Sequence, residues 1–211
     1  MHSLPFDTVD LDADEVQSLE DTYKSLKAKF NIASPGAADV YLNKIELFNN
    51  NPEASLGGTL FINYPATNCY LNFVKSSFSY SYGGRGGNGG QNFVYDKYQV
   101  WAFVNLKRDC DRILIRKETF ADRMLEIIHP IALKFKEDKV FSDNFYVVTN
   151  DNEKAMAFIT SDFRKIMIEM MYKDFVIEII NKTLVIRNNQ PINPDQTIHL
   201  AEIACKIASI N

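Results

Sequence analysis

The sequence predicts an α+β fold: an antiparallel sheet built from repeated ββα units, helices packed largely on one face, and an additional N-terminal helix. The first observation is the order strand, strand, helix, which recurs at about residues 96–128, 138–171 and 175–209. The second is that apolar residues change from period two to helical spacing within each unit. The third is a constant offset of 43 that aligns the helix around Phe120 with the helix around Phe163.

The N-terminal residues 1–35 are predicted to form a loose arm and a helix, outside a single α+β domain over residues 36–211. Asp12 or Asp14 can cap the helix. The spacing of a helical seam is carried by Val16, Leu19, Tyr23, Leu26 and Phe30. Two interpretations are open, because the seam can pack on its own domain or contact a protein partner or a second copy of the chain.

A glycine-rich segment follows three predicted strands at residues 59–63, 70–74 and 78–82. It holds six of the nine glycines in the chain. Its residues are Gly83, Gly84, Arg85, Gly86, Gly87, Asn88, Gly89 and Gly90. A phosphate-binding loop needs glycines that lead into a helix, with Lys and Ser or Thr at fixed offsets, and neither condition is met. We interpret the segment as a flexible hairpin tip, with a ligand-closing flap or a disordered contact loop as alternatives.

The first ββα unit begins with alternating residues over 93–105, which place the single tryptophan, Trp101, in the predicted core. Residues 107–109 form the predicted turn, and residues 112–116 form the return strand. The stripe of the closing helix is Phe120, Met124, Ile127 and Ile128.

The middle unit has the strongest pattern. Its first strand is predicted from the apolar face Phe141, Phe145, Val147 and Thr149. A turn at residues 150–152 and a return strand at residues 154–159 follow. Thr160 or Ser161 can cap a helix. That helix has the apolar stripe Phe163, Ile166, Met167, Met170 and Met171. Its outward residues are predicted to be Arg164, Lys165 and Glu169.

The third unit is predicted from strands at residues 175–180 and 183–187, joined by the two-residue turn Asn181-Lys182. A helix from about Asp195 completes it, with the apolar residues Ile198, Ile203, Ile207 and Ile210. Because a ββα unit cannot bury its apolar face alone, we expect the hairpins to share one sheet.

Composition and charge disfavour several classes of function. The 211 residues carry a net charge of -4, so the basic field that nucleic-acid binding requires is missing. The first fourteen residues lack the apolar core of a secretory signal. No run approaches the roughly 18 apolar residues of a membrane span. We therefore expect a soluble cytoplasmic protein without nucleic-acid partners and without integral membrane insertion.

Nucleophilic chemistry has no recognisable motif. The cysteines are odd in number and widely spaced, at Cys69, Cys110 and Cys205, which predicts reduced, mostly structural thiols. The histidines are His2, His129 and His199. A pair such as Cys110 with His129, or Cys205 with His199, requires spatial proximity that spacing does not establish.

Acid and base chemistry is likewise not predicted. Asp109 with Asp111, and Asp151 with Glu153, fall in predicted turns, where aspartate is favoured for backbone reasons. A calcium loop would need a glycine at the bend and a distal glutamate, both missing from the acidic cluster Asp7, Asp10, Asp12 and Asp14. We predict no catalytic residue, no metal site and no cofactor.

The middle unit also carries a family resemblance. The residues that carry the resemblance are Phe141-x-x-x-Phe145-x-Val147, an acidic turn at Asp151, Ala155, and Ile159-Thr160-Ser161-Asp162-Phe163. With weaker matches at Leu184 and Ile186 and in the strand after the glycine-rich segment, the chain resembles, over about residues 55–190, the uncharacterised bacterial family called domain of unknown function 3137. Family members commonly carry a pair of N-terminal membrane helices, which this sequence lacks. The resemblance supplies no catalytic residue.

Three hypotheses for function follow. The first is a non-catalytic protein-interaction or binding module, favoured because no motif indicates an enzyme. The alternative is an enzyme of unrecognised type, with a cleft beside the glycine-rich loop that uses Cys110, Asp111, Arg112 or His129. A further alternative, implied by the family alone, is peripheral attachment to a membrane.

Overall fold

The computed structural model describes residues 4–9, 11–34, 45, 48, 54–64, 67–82, 91–119, 121–122, 131–171, 173–188 and 190–210. The helices with described bounds are α1 (Ala13–Lys29), α2 (Lys139–Asn144), α3 (Asn152–Phe158), α4 (Ser161–Glu169) and α5 (Pro194–Ile210). The strands are β1 (Ile32–Ala33), β2 (Ser55–Tyr64), β3 (Thr67–Tyr82), β4 (Gln91–Asn105), β5 (Arg112–Lys117), β6 (Phe145–Thr149), β7 (Phe175–Ile180) and β8 (Thr183–Asn188).

These strands form one antiparallel sheet in the order β1-β2-β3-β4-β8-β7-β5-β6. The predicted α+β class with an antiparallel sheet is therefore confirmed. β3 is one continuous strand, so the break predicted at Ser76-Ser77 is wrong. The hairpin of β7 and β8 is confirmed, and Asn181 in its turn adopts left-handed backbone with φ of 55°, which asparagine tolerates.

The predicted hairpin of β4 and β5 is wrong, because the two strands are not neighbours. β4 pairs with β3 and β8, whereas β5 pairs with β7 and β6. In the connection, the Leu106 N–H donates to the Lys182 carbonyl at 2.7 Å, and the Cys110 N–H donates to the Asn181 carbonyl at 2.8 Å. These hydrogen bonds hold the segment between β4 and β5 against the turn of the β7–β8 hairpin. The chain passes this hairpin, and β5 then pairs with the edge of β7 that does not face β8. The closing-helix stripe lies outside the described residues: Phe120, Met124, Ile127 and Ile128.

The middle unit begins with a helix, where the sequence predicts the start of a strand. Asp138 caps α2, because its Oδ1 accepts a hydrogen bond from the Phe141 N–H at 3.0 Å. Phe141 and Phe145 are four residues apart, a spacing that fits one face of a strand and one face of a helix equally well. The cap decides between them, and β6 starts only at Phe145.

The predicted return strand of the middle unit is also helical, so the ββα repeat is not confirmed. Asp151 Oδ1 accepts hydrogen bonds from two successive backbone N–H groups at 3.0 Å and starts α3. Ala155 and Phe158 are buried at helical spacing, whereas Met156 and Ala157 are exposed. The apolar run was too short to separate a strand from a helix by periodicity.

The helix α4 is confirmed, with one correction. Thr160 caps it, because its hydroxyl accepts from the Phe163 N–H at 3.3 Å. Its buried stripe is Phe163, Ile166, Met167 and Met170, with Met171 half-buried against the same core. Lys165 and Glu169 are exposed as predicted, but Arg164 is buried at 7% exposure.

The helices contribute to one core on one face of the sheet, as predicted. Residues of α1, α2, α3, α4 and α5 share that core with β2 to β8. The opposite face carries a second, smaller cluster: Ile45, Val74, Trp101, Phe103 and Val185. Phe48 packs on Trp101 with ring centroids 6.0 Å apart and planes at 83°. The prediction that Trp101 is a core residue is confirmed.

The N-terminal seam packs on its own domain, which was one of the two open interpretations. Leu19 and Leu26 are fully buried in the main core, and Lys29 forms an ion pair with Glu202 of α5. Asp12 is the cap of α1. Leu19 and Leu26 are therefore not accessible to a partner while α1 stays in place, whereas Val16, Tyr23 and Phe30 are half-buried. The arm is docked as well, because Phe6 is buried with its ring centroid 4.2 Å from that of Phe73, which corrects the prediction of a loose arm.

Candidate interaction surface

The cysteines are buried free thiols, as predicted. Burial raises the pKa of Cys110 to about 11, outweighing the opposite effect of the charge on Arg108. Cys69 of β3 and Cys205 of α5 share a hydrogen bond, which together with burial raises the pKa of Cys69 and which lowers the pKa of Cys205. Because the thiolate is the nucleophile, the raised pKa values of Cys110 and Cys69 give no support to a catalytic role for these two thiols.

We expect Cys110 in the folded protein to react with iodoacetamide at about pH 8 at least about a hundredfold more slowly than in the unfolded chain. At this pH a thiol whose pKa is about 11 remains almost fully protonated. Peptide mass spectrometry of a time course, with and without urea, measures both rates. The rate in the folded protein should rise as the pH approaches 11. Equal rates in the two states would contradict the buried position.

The two carboxylate pairs have structural roles. Asp109 Oδ1 accepts from the Asp111 N–H at 2.7 Å, and Asp111 adopts a left-handed backbone with φ of 56°. Asp151 caps α3, although the sequence placed it in a hairpin turn, and Glu153 is exposed. Asp109 and Asp151 thus accept hydrogen bonds from nearby backbone N–H groups, which is the structural role that the sequence predicts for aspartate at these positions.

Two depressions are lined by both apolar and polar side chains. One lies between α5 and the β7–β8 hairpin beside His199 and Leu200, and it leaves about 30 Å³ for water-sized molecules. The other leaves about 250 Å³ at the start of α1, next to Asp14 and Lys97. Among the described residues, no cluster of His, Cys, Asp and Glu could hold a metal ion. His2 and His129 lie outside the described residues.

Asp122 forms a buried ion pair just after β5. Arg116 donates through both terminal nitrogens to its two carboxylate oxygens, at 2.6 Å and 2.5 Å. Thr119 donates from its N–H at 2.9 Å and from its hydroxyl at 2.7 Å. The Arg116 hydrogen bonds, reinforced by those of Thr119, lower the pKa of Asp122 to about 2 despite its burial. All these partners belong to the same corner of the chain, which indicates a structural clamp.

Replacing Asp122 with asparagine is expected to lower the free energy of unfolding at neutral pH by about 1.5–3 kcal/mol. The folded carboxyl has a pKa of about 2, below the unfolded value of about 3.9. Its stabilisation is therefore complete above about pH 4 and is lost as the pH falls through about 2. Urea unfolding along this range should show the variant and the original protein converging in acid. The same substitution at the exposed Asp21 is the control, and an equal effect there would contradict the clamp.

The second face of the sheet carries a line of buried polar residues. Thr59 donates to Asn72 at 2.7 Å, and the indole of Trp101 donates to Gln99 at 3.3 Å. The guanidinium of Arg187 lies 5.4 Å above the Trp101 ring. Burial lowers the pKa of Arg187, and the charge of the nearby Asp174 partly opposes this shift. These contacts join β2, β3, β4 and β8 side by side and stiffen the base from which β3 and β4 continue.

Beyond that base, β3 and β4 extend as a two-stranded ribbon. The pairing of β2 with β3 stops at Ser55 opposite Lys75, and β8 pairs with β4 only from Trp101 onward. Residues 77–82 and 91–96, which we call the ribbon, pair with each other and with no third strand in the described residues. At about 3.3 Å per residue, the ribbon projects about 20 Å. The glycine-rich residues 83–90 join its two strands and lie outside the described residues.

The backbone register of the ribbon pairs several aromatic residues with one another. Phe78 is paired with Tyr95, Tyr80 with Phe93, and Tyr82 with Gln91. The ribbon is therefore the part of β3 and β4 in which aromatic residues of the sequence are concentrated.

This geometry contradicts a cleft that combines the glycine-rich loop with Cys110, Asp111 and Arg112. Gln91 follows the loop, whereas Cys110 follows Asn105 at the other end of the 15-residue strand β4. The two ends of such a strand are separated by about 45 Å. Among the described residues, Gln91 and Cys110 therefore lie toward opposite ends of β4.

No protein-family model matches the chain, and no curated protein matches it. The crystal structure of the mycobacterial trehalose monomycolate transport factor A, TtfA, is similar in fold. The similarity covers 92% of this chain and 93% of that chain, with a TM-score of 0.51 and 6% sequence identity. At this identity the likeness concerns the fold alone. None of the described helices is both long and apolar enough to cross a membrane.

Proposed function

We propose that the protein is a non-catalytic protein-interaction module whose contact surface is the ribbon. The observation that carries the proposal is the backbone pairing, in which residues 77–82 and 91–96 pair with each other and with no third strand in the described residues. The sequence of the ribbon is rich in aromatic residues: Phe78, Tyr80, Tyr82, Phe93 and Tyr95. Aromatic residues are enriched at the centres of protein interfaces, because they combine a large apolar surface with few rotatable bonds.

The chemistry of the described residues supports a non-catalytic role. The carboxylates of Asp122 and Asp138 are engaged by Arg116 and Arg164, and the Cys110 thiol is protonated at neutral pH because burial raises its pKa to about 11. An enzyme requires a nucleophile or base next to a site for its substrate. Among the described residues, the thiols of Cys110 and Cys69 do not supply such a nucleophile, because their pKa values are raised.

The fold of TtfA, which its name describes as a transport factor, agrees with an accessory role. Function depends on sites and not on fold, so we transfer no substrate from TtfA to this chain. The proposal depends on the ribbon, and it would remain without that comparison.

Photocrosslinking in the native host tests the proposal. A benzophenone amino acid is placed at Tyr80 in the ribbon or, as the control, at the exposed Met156 of α3. We expect light-dependent adducts with protein from the first position and few or none from the second. Equal adducts from both positions, or no protein adduct from either, would overturn the proposal.

A further inference from the structure

We infer that the N-terminal arm, residues 4–9, is a releasable strap that holds the base of the ribbon and so regulates the proposed contact surface. The inference rests on the proposed function and names a regulation of the same surface. The arm contacts β2, β3 and β4 at the point where β3 and β4 continue as the ribbon. A two-stranded ribbon is only marginally stable alone, and in the described residues no third strand pairs with it. Its order therefore depends on what holds its base.

Three hydrogen bonds connect the arm to these strands. The Asp7 N–H donates to the Gly57 carbonyl of β2 at 2.8 Å, and the Asp7 carbonyl accepts from the Tyr98 hydroxyl of β4 at 2.6 Å. The ammonium group of Lys75 in β3 donates to the Val9 carbonyl at 3.0 Å. In the sequence, Lys75 lies two residues before the ribbon and Tyr98 lies two residues after it. These hydrogen bonds therefore act directly at the base of the ribbon.

Phe6 is the apolar anchor of the arm. Its ring centroid lies 4.2 Å from that of Phe73 in β3 and 5.8 Å from that of Tyr23 in α1, and its side chain belongs to the main core. Beside it β2 carries Gly58, where an added Cβ would lie 2.6 Å from the Phe6 ring and 2.8 Å from the Pro5 carbonyl oxygen. Because both distances are shorter than a normal contact between such atoms, the arm can dock here only when position 58 is a glycine.

The arm can leave this seat while the rest of the fold stays intact. Asp7 and Val9 are exposed, and Val9 retains 64% of its accessible surface, so the arm lies on the outside of the molecule. The buried Phe6 ring and the three hydrogen bonds oppose the loss of backbone freedom in a short terminal segment, and these opposing contributions are similar in size. Terminal segments held in this way open locally at a small cost in free energy.

Release of the arm changes the base of the ribbon. Tyr98 and Lys75 lose the two arm carbonyls to which they donate, so one strand of the ribbon loses a contact on each side of the hairpin base. A partner that binds the ordered ribbon more tightly shifts the population toward the docked arm. By thermodynamic linkage, docking of the arm strengthens the binding of that partner by the same factor.

Hydrogen exchange of the full chain, followed by peptide mass spectrometry, tests the inference. The added methyl group of Gly58→Ala disturbs the seat of the arm, so amides of the arm and of the ribbon should exchange at least about tenfold faster. Residues 112–117 and 145–149 form β5 and β6 at the other side of the sheet, and their exchange rates should stay unchanged. Val9→Ala is the control, because the Val9 side chain is exposed, and it should leave the rates of arm and ribbon unchanged.

Two further variants keep the test decisive. Phe6→Ala removes the anchor itself and should give the same exchange pattern, with circular dichroism to check that the variant is folded. Tyr98→Phe retains the ring and removes the hydroxyl that donates to Asp7, so exchange in the ribbon should rise about two- to tenfold, the effect of one lost hydrogen bond. Faster exchange in the arm with unchanged exchange in the ribbon overturns the inference. Equal acceleration throughout the sheet also overturns it, because Phe6 would then be an ordinary core residue.

Photocrosslinking at Tyr80 separates the inference from the proposed function. If Gly58→Ala lowers the protein adducts at Tyr80 by about fivefold or more, a factor typical of coupled sites, both are supported. Equal adducts with and without Gly58→Ala leave the interaction module in place and overturn its regulation by the arm. Coupled exchange of arm and ribbon without adducts from either chain overturns the proposed function, while the hold of the arm on the ribbon is supported.

Discussion

Replacing Arg164 with alanine is expected to lower the free energy of unfolding by about 3–5 kcal/mol, because it leaves the half-buried carboxylate of Asp138 and the buried carbonyl of Ile159 without their charged donor. The Arg164 Nε donates to Asp138 at 2.9 Å, and a terminal nitrogen donates to the Ile159 carbonyl at 3.0 Å. The guanidinium also lies 4.8 Å from the Phe135 ring centroid. One side chain therefore holds α4 against the start of α2 and the end of α3. Urea unfolding followed by circular dichroism measures the loss.

The neighbouring Lys165 provides the matched control for this substitution. Its side chain is 75% exposed and pairs with the exposed Asp162 at 3.0 Å, so Lys165→Ala should change stability by less than about 1 kcal/mol. A double-mutant cycle of Arg164→Ala with Asp138→Ala should be strongly non-additive, because the two residues share one interaction. Additive losses would show that Arg164 acts through packing and not through this pair.

Replacing Trp101 with alanine is expected to cost about 3–5 kcal/mol, the range for removing a large buried aromatic side chain. Trp101 is fully buried and forms the centre of the second cluster. Its ring contacts Phe48 on one side and the guanidinium of Arg187 on another. The substitution leaves a cavity between the sheet and the residues that cover it. Circular dichroism in urea is the measurement, since the single tryptophan is lost.

Two companion variants test whether the loss of stability in Trp101→Ala comes from the buried ring. Trp101→Phe retains much of the ring and should lose clearly less stability than Trp101→Ala. Met156→Ala removes a large apolar side chain that is 52% exposed, and it should change stability by no more than about 0.5 kcal/mol. Similar losses for Trp101→Ala and Met156→Ala would contradict the assignment of Trp101 to a packed layer.

The comparison between sequence and structure is most informative in the middle unit. The helix α4 was predictable, because its stripe extends over enough residues to distinguish a helical period from a strand period. The stretch from Phe141 to Ile159 was mispredicted as two strands, since short apolar runs fit both periods. The caps at Asp138 and Asp151 were present as local signals. Aspartate serves turns and helix caps alike, so its presence did not distinguish them.

The candidate surface was only partly predictable. The sequence places a strand on each side of the glycine-rich segment and identifies that segment as a hairpin tip. The pairing of Tyr80 with Phe93 depends on the register of β3 and β4, and a shift of one residue would give each of them a different partner. The length of the ribbon depends on where β2 and β8 stop, which is a property of distant strands. The functional role of residues 83–90 stays a prediction.

By itself, the sequence determined the α+β class, the cap and seam of α1, the stripe of α4 and the hairpin of β7 and β8. These features depend on residues a few positions apart, where periodicity and backbone preference act directly. Only the tertiary structure decided that β8 and β7 separate β4 from β5, that Arg164 points inward, and that β3 and β4 project from the sheet. Strand pairing and buried ion pairs depend on contacts between residues far apart in the chain, and local sequence patterns do not determine them.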